Sequence, residues 1–323
     1  MSKTLIATVT FGNLEFTKLT INEIRRTTKS PADLLVIVGQ PGDHQTAHWL
    51  EEQNVLHLVH HVNKGFPASL NDVWDYAWGT GETRCPTFPG YDNVILCAND
   101  VVPYPGAMDA LIECAETTDW EWICASKFDA RALVAMYPET RKFFQGQGCV
   151  FTDFAARPWD EHAAHVAATA KAIEPDGFKD VAELTLFKRS VFEKFGYFDA
   201  NYWPNGYFFD NDAARRAVNL KLRGCGLPHA VYFHFWSRTV HQGERRDHGE
   251  YFRRNGKYYR MKWNGGWNEE KHTVPFGGEP LMLAPGIMLP GALRIGDRTN
   301  EGEIVEYWSN CNRDAKAAFT ALG

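Results

Sequence analysis

Short apolar runs rich in β-branched residues alternate with helix-like segments through the first half of the chain. Between the third and fourth runs, apolar residues from Leu70 to Ala77 recur at the spacing of one helical face, and Pro67 can open that helix. This alternation predicts an α/β fold with a mostly parallel sheet and helices on both faces. The five predicted strands are residues 5–11, 33–39, 55–61, 93–99 and 120–126.

The alternation is interrupted in the second half of the chain. Residues 127–180 are irregular and are interpreted as an insertion over the sheet. Two more strands are predicted at 182–189 and 229–236, and a turn-rich aromatic segment between them leads into a helix that ends near Gly224. About the last 80 residues carry many Gly, Pro and Trp with little periodicity, which predicts a wrapping tail.

Composition narrows the class of protein. The 323 residues are 44% hydrophobic and 14% aromatic, which is enough for a substantial core in one large or two modest domains. A net charge of -6 argues against a surface that binds nucleic acid or anionic lipid all round. Seven cysteines without a CxxC spacing favour a reducing compartment. The N-terminal apolar run is too short for a signal peptide and no window matches a membrane span, so we expect a cytoplasmic protein without an integral membrane segment.

The fourth predicted strand ends on two polar residues, Asn99 and Asp100. Ligands of open parallel sheets bind at the carboxyl ends of strands, where a divalent cation held by few protein oxygens and by phosphates would neutralise Asp100. The alternative is a solvated Asp that caps the next helix, which is the commoner outcome for an isolated Asp.

Three further polar residues are candidates for the same site. Asp210 begins a helix, where it is either a favourable first-turn acid or a carboxylate that accepts a proton from a substrate hydroxyl. Asp212 lies near Arg215 and Arg216, so a local ion pair is expected. His234 lies in a strand among aromatics and is either a core histidine or a metal ligand beside Asp100.

Taken in chain order, several segments resemble the motifs of GT-A glycosyltransferases of the family 2 type. The first strand ends in TFGN at 10–13, and the acid of the strand end CAND is Asp100. The resemblance covers roughly residues 4 to 265, and its motifs are weak singly but fairly specific in order. The other matching segments are NKGFPASLN at 63–71, FGYFDANYWPNGYFFDNDAARRAVNLKLRGCG at 195–226, the strand that ends on His234, and YFRRNGKYYRMKWNGG at 251–266.

The resemblance implies a metal-dependent, inverting sugar transfer from a nucleotide-sugar donor, with a UDP-sugar favoured. Asp210 takes the place of the catalytic base, and Asp100 and His234 the place of ligands to Mn²⁺ or Mg²⁺. Three positions depart from the family. Ala98 replaces the first residue of the metal motif, and Phe209 replaces the Glu before the catalytic Asp. Gly39 stands in place of a nucleotide-binding Asp, a role for which Asp43 is the candidate substitute. The implied donor-binding residues are Thr10, Asn13, Asp43, Asn63, Gly65, Asn71, Asn99, Lys257, Lys262 and Trp263.

The resemblance also divides the chain. Residues 1–265 form the expected GT-A domain, in which 127–180 is an acceptor-side insertion, and 266–323 form a C-terminal extension. Within this domain, the basic and aromatic segment 238–262 has eight Lys or Arg against three acids. Three interpretations of this segment are open. It could close over the donor diphosphate, bind nucleic acid, or form a solvated helix whose rings face the core. The first interpretation is favoured.

The acceptor is left open by the sequence: a glycan, a protein or a hydroxymethylated DNA base. A nucleotidyltransferase acting on a sugar phosphate is one alternative, although residues 10–20 lack the Gly-rich basic loop that such enzymes usually carry after the first strand. A non-catalytic carbohydrate-binding protein is another, because 11 Trp residues could stack on sugar rings. Consumption of a donor separates the transferase from the binding protein.

Overall fold

The computed structural model describes residues 2–79, 90–128, 181–235 and 245–277, together with isolated positions between 138 and 178. Most of the predicted insertion and of the C-terminal extension lies outside these residues. Nine strands are described: β1 Thr4–Thr10, β2 Asp33–Val38, β3 Leu56–Val59, β4 Asn93–Cys97, β5 Val101–Pro103, β6 Trp122–Phe128, β7 Glu174–Pro175, β8 Leu184–Lys188 and β9 Gly224–His234.

Seven α-helices are described in the same parts of the chain: α1 Leu14–Thr27, α2 His44–Glu52, α3 Phe66–Trp78, α4 Ala107–Thr117, α5 Arg189–Phe195, α6 Phe209–Asn219 and α7 Arg245–Trp263. A short 3-10 helix follows at Pro275–Gly277. All seven predicted strands overlap an observed strand, whereas β5 and β7 were not predicted. The α/β fold class is thereby confirmed.

The strands form one sheet in the order β3-β2-β1-β4-β8-β6-β9-β5, with β7 paired to β9. The first four strands are parallel, as predicted. Strand β8 then runs antiparallel to both β4 and β6, and β5 runs antiparallel to β9. Because β8 is reversed, its beginning at Leu184 lies opposite Cys97 at the end of β4. Residues just before β8 therefore reach the edge where the parallel strands end.

Helices cover both faces of the sheet because alternate residues of its strands are apolar on opposite sides. In β1, Leu5 belongs to a core cluster that includes residues of α3, α5, α6 and α7. Its neighbour Ile6 belongs to a second cluster, with residues of α1 and α4. The two clusters hold the sheet rigidly, so the side chains at its carboxyl edge are fixed by packing.

Residues 245–263, at the start of the predicted wrapping tail, form the helix α7. The buried side of this helix carries Tyr251, Asn255, Tyr258 and Lys262 at spacings of four, three and four. A hydropathy pattern does not detect such a face, because an Asn and a Lys occupy two of its positions. In the basic segment, Arg238, Arg245 and Arg246 lie outside the described side chains.

The thiols are reduced where the structure describes them. Cys97, Cys114, Cys124 and Cys225 are buried, and none of the four is in a disulfide. Within the described ranges, no helix combines the length and the apolar composition needed to cross a bilayer. The cytoplasmic location expected from the sequence stays a prediction.

Candidate active site

Asp100 and His234 meet at the carboxyl edge of the sheet. Asp100 precedes β5, whose first residue, Val101, lies opposite His234 in β9. The backbone N–H of Phe235 donates to the carbonyl of Asp100 at 3.0 Å, which fixes the register beside the two side chains. Asp100 Oδ1 then lies 3.1 Å from His234 Nε2. A carboxylate and an imidazole from distant parts of the chain are thereby held side by side.

The capping alternative for Asp100 does not hold. Helix α4 begins after Gly106, and no side chain caps it. Asp100 is 5% exposed, so water does not solvate its carboxylate. A buried carboxylate needs a charged or hydrogen-bonding partner, and His234 supplies one.

Glu183 is a third member of this cluster, and the sequence reasoning missed it. Its Oε1 lies 3.1 Å from His234 Nδ1, on the opposite side of the ring from Asp100. Lys127 Nζ donates to the same carboxylate at 2.9 Å, and the Tyr232 hydroxyl donates at 2.6 Å. The available signal was an acid at the second position of the strand predicted at 182–189, but only the reversed direction of β8 brings it to this edge.

Charge compensation controls protonation in the cluster. Burial of the imidazole disfavours its charged form, but the Asp100 and Glu183 carboxylates outweigh burial and raise the pKa of His234 to about 10. Burial also favours neutral Glu183, yet the hydrogen bond and charge of His234, with Lys127, lower the pKa of Glu183 to about 2. Without a cation, His234 is therefore an imidazolium between two carboxylates at neutral pH.

The donor set of this pair fits a divalent cation. No group of three or more His, Cys, Asp or Glu side chains in the described parts of the chain is arranged to hold a metal alone. Asp100 Oδ1 and His234 Nε2 are 3.1 Å apart, close to the separation of adjacent ligands around an octahedral ion with bonds of about 2.1 Å. Metal-binding histidines commonly face a carboxylate with their second nitrogen, as His234 faces Glu183. Such an ion would take its other ligands from a diphosphate and water.

The predicted residues Thr10, Asn13 and Asn99 line the ends of β1 and β4. Asn99 Nδ2 donates to Thr10 Oγ1 at 3.4 Å, and Thr20 Oγ1 donates to the Asn99 carbonyl at 2.7 Å. Asn13 has a left-handed backbone with φ 67°, and α1 begins behind it. Its buried Nδ2 has no partner among the described residues. Thr10 and Asn99 are thus brought together one residue away from Asp100.

The NKG turn connects β3 to α3. Gly65 N donates to Asn63 Oδ1 at 2.9 Å, and Gly65 adopts φ +81°. A Cβ at Gly65 would lie 2.5 Å from Trp203 Cδ1, so only glycine permits this close approach. Asn71 bonds both backbone groups of Phe198, at 2.9 Å and 2.8 Å. The turn and α3 therefore position the segment around 198–203, and the Asn71 amide is occupied by that segment.

Asp210 lies in the first turn of α6. The helix begins after Phe208, which has a left-handed φ of 68°, and Asn211 N donates to Asp210 Oδ1 at 2.9 Å. The centroid of the Phe209 ring lies 5.4 Å from that of the Phe66 ring, so this turn lies beside the beginning of α3. Asp210 is half-buried at the same side of the molecule as the NKG turn.

Two other predicted donor contacts have a different placement. Asp43 caps α2, and its Oδ1 accepts from Thr46 N at 3.1 Å. Its second oxygen is buried without a partner in the described part of the chain. Lys257 is exposed on α7, on the same side as Arg253 and Arg260.

Lys262 and Trp263 are enclosed by protein, with exposures of 2% and 0%. Lys262 Nζ lies 2.8 Å from Asp212 Oδ1, and Trp263 Nε1 donates to the same oxygen at 2.8 Å. The expected ion pair of Asp212 with Arg215 and Arg216 is wrong in its partner, because α7 packs on this side of α6. A donor contact of Lys262 or Trp263 stays a prediction, while their observed contacts are with side chains.

Comparison with known proteins addresses the fold. No family model and no curated protein matches the chain. A mannosyltransferase from Pyrobaculum calidifontis, solved with GDP-mannose and Mn²⁺, is 13% identical, with a TM-score of 0.49 over 99% of this chain and 74% of that one.

A second solved structure is similar to a comparable extent. Glucosyl-3-phosphoglycerate synthase from Mycobacterium tuberculosis, solved with Mn²⁺ and UDP-glucose, is 10% identical, with a TM-score of 0.47. The match covers 80% of this chain and 78% of that one. At such identities the similarity to GT-A enzymes concerns the course of the chain alone.

Proposed function

We propose that this protein is a metal-dependent glycosyltransferase that moves a sugar from a nucleotide-sugar donor to an acceptor hydroxyl. The observation that carries the proposal is the buried pair of Asp100 and His234 at the carboxyl edge, backed by Glu183. Such a pair supplies two ligands and leaves the remaining positions to a diphosphate. A UDP-sugar is the favoured donor on the resemblance of the motifs.

In this proposal the chain's residues divide the chemistry between two places. A divalent cation, when held by Asp100 and His234, supplies Lewis-acid stabilisation of the charge on the departing diphosphate. The carboxylate of Asp210 takes the proton of the acceptor hydroxyl. The acceptor oxygen bonds to the anomeric carbon as the bond to the diphosphate breaks on the opposite face. A single displacement of this kind inverts the anomeric centre.

The remaining predicted residues receive roles in donor binding. Thr10, Asn13 and Asn99 are proposed to contact the nucleotide at the ends of β1 and β4. Asn63 and Gly65 are proposed to bring the backbone close to the donor sugar. Two other proposals concern Asp43, whose second oxygen is assigned to the nucleoside, and Lys257, assigned to the diphosphate.

The test is donor consumption. The protein is incubated with Mn²⁺ and a panel of nucleotide sugars, first alone and then with a saccharide, a peptide or hydroxymethylated duplex DNA, and products are identified by mass spectrometry. Release of a nucleoside diphosphate together with one glycosylated acceptor supports the proposal and names the acceptor class. Pyrophosphate release from a nucleoside triphosphate and a sugar phosphate would instead identify a nucleotidyltransferase. Saccharide binding with every donor left intact would identify a binding protein.

Glu183→Gln is expected to weaken Mn²⁺ binding about tenfold, measured by titration calorimetry in the presence of UDP. Loss of a carboxylate behind a metal-binding histidine typically costs about 10-fold to 100-fold in affinity. We expect the low end of this range because the substitution also lowers the pKa of His234. The imidazole then loses its proton more readily, so the proton competes less with Mn²⁺ for the ring nitrogen. Glu193→Gln, which removes a surface acid paired with Arg189, is the control. Equal affinities for the two variants would remove Glu183 from the site.

A further inference from the structure

Helix α7 contributes a buried cation that the proposed chemistry does not use. Lys262 Nζ lies 2.6 Å from Asp199 Oδ2 and 2.8 Å from Asp212 Oδ1. The side chains of all three residues are 3% exposed or less. Lysine is almost never enclosed in this way unless it is paired. One ammonium group therefore joins the segment before α6 to the first turn of α6.

The two carboxylates are also held by neutral donors. Asp212 Oδ1 accepts from the Tyr202 hydroxyl at 3.2 Å as well as from Trp263 Nε1 at 2.8 Å. Asp199 accepts from the Tyr258 hydroxyl at 2.8 Å. A buried ionic network with its polar atoms satisfied fixes one arrangement of the elements that it joins.

This network reaches Asp210 through one turn of helix. Asp212 N donates to the Phe208 carbonyl at 2.9 Å, which closes the turn that contains Asp210. Upstream, Phe209 N donates to Gly206 O at 3.0 Å, and Gly206 N donates to Tyr202 O at 2.9 Å. The backbone from 202 to 212 is therefore a continuous series of short turns. A shift of Asp212 relative to α7 would displace Asp210 by a similar amount.

We propose that Lys262 is a positioning residue for Asp210: by binding Asp199 and Asp212 together, it holds the first turn of α6 in the orientation needed for proton transfer. The inference rests on the proposed function of Asp210. Stability alone does not account for such a network, because well-packed apolar residues of similar volume are often equally stable or more so. Ions with directional hydrogen bonds instead fix the geometry of the elements that they join.

Lys262→Met tests the proposal, because Met has a similar length and lacks the charge. We expect kcat to fall about 10-fold to 100-fold, which is the loss expected when a catalytic group is displaced by about 1 Å. The Kd of the donor, measured by calorimetry with Mn²⁺, is expected to stay within about twofold of the wild-type value, because Lys262 Nζ is occupied by two carboxylates and the Asp100 and His234 site is left intact. A clearly weaker Kd would overturn the positioning role in favour of a donor contact of Lys262. Lys29→Met makes the same change at an exposed lysine just after α1, outside the donor-binding residues, and is the matched control, with kcat unchanged.

A double variant separates positioning from folding. Lys262→Met alone leaves two buried carboxylates and is expected to lower Tm. Lys262→Met combined with Asp212→Asn leaves one carboxylate, Asp199, in the attractive field of the buried Arg216. We expect Tm to recover in the double variant while kcat stays low, because the connection between α7 and α6 is still missing. If the single variant does not fold, the double variant decides the question.

The outcomes are distinct. Low kcat with an unchanged donor Kd and a recovered Tm supports the positioning role. A wild-type kcat in Lys262→Met, or recovery of kcat together with Tm in the double variant, overturns it and leaves Lys262 a stabilising residue only. A wild-type protein that consumes no donor overturns the proposed function itself. Normal turnover of Asp210→Asn overturns only the role of Asp210 as the base, and the inference fails in either case.

Discussion

Asp210→Asn is expected to lower kcat by about 100-fold to 10,000-fold, the usual contribution of a general base, while the Kd of the donor stays unchanged. Asn has nearly the shape of Asp, and its carbonyl oxygen can still accept the hydrogen bond of Asn211 N, which is 2.9 Å long in the wild type. The first turn of α6 therefore keeps its geometry, and only the ability to accept a proton is lost. Single-turnover kinetics at saturating acceptor and donor measure the effect on the chemical step.

Two controls separate the loss of the base from general damage to the protein. Glu250→Gln removes an exposed acid on α7 and is expected to retain wild-type kcat. Thermal unfolding of Asp210→Asn is expected to stay close to that of the wild type, because Asn keeps the shape of the side chain and the hydrogen bond of Asn211 N. Turnover within a few-fold of wild type would assign the base to another residue.

Asp100→Asn is expected to weaken Mn²⁺ binding by roughly 100-fold or more, beyond the range for a carboxylate behind a metal ligand. The neutral amide loses the Coulomb attraction that a carboxylate exerts on a divalent cation at a buried position. One effect opposes this loss. The change removes a carboxylate that raises the pKa of His234, so the imidazole loses its proton more readily and competes less with the ion. The lost charge of a direct ligand outweighs this gain.

Calorimetric titration of Mn²⁺ in the presence of UDP measures this affinity without reference to turnover. Asp119→Asn is the control, because Asp119 is an exposed acid paired with Arg223 on the surface. An Asp100→Asn protein that binds Mn²⁺ with wild-type affinity would show that the ion, if any, is held elsewhere.

Much of the sheet followed from the sequence because its strands are short apolar runs at regular intervals. The parallel order of β1, β2, β3 and β4 is what alternating strands and helices produce. Asp100 could be singled out because a charge that directly follows a buried run is unusual. His234 could be named through the resemblance of the motifs, but the ring's distance from Asp100 depends on the pairing of β5 with β9, which no local pattern specifies.

The contacts that sequence reasoning missed are those that depend on strand direction or on a partner distant in the chain. Glu183 reaches the edge of the sheet because β8 is antiparallel to β4. Asp212 has two arginines close in sequence, yet its ionic partner is Lys262, which lies 50 residues further along the chain. Local spacing favours i, i+3 and i, i+4 pairs. Here the buried Arg216 guanidinium donates to the carbonyls of Tyr197 and Phe195, and the packing of α7 on α6 brings Lys262 to Asp212 instead.

The pairing of β5 with β9 has a consequence for biosynthesis. Val101 and His234 are separated by more than 130 positions, so this contact closes one of the longest loops in the molecule. While a nascent polypeptide is still being translated, Asp100 emerges long before the histidine that completes its surroundings. A truncated product that stops before Gly224 carries the motif CAND yet has no imidazole to place beside it. The proposed cation site is therefore complete only once nearly three-quarters of the chain has been synthesised.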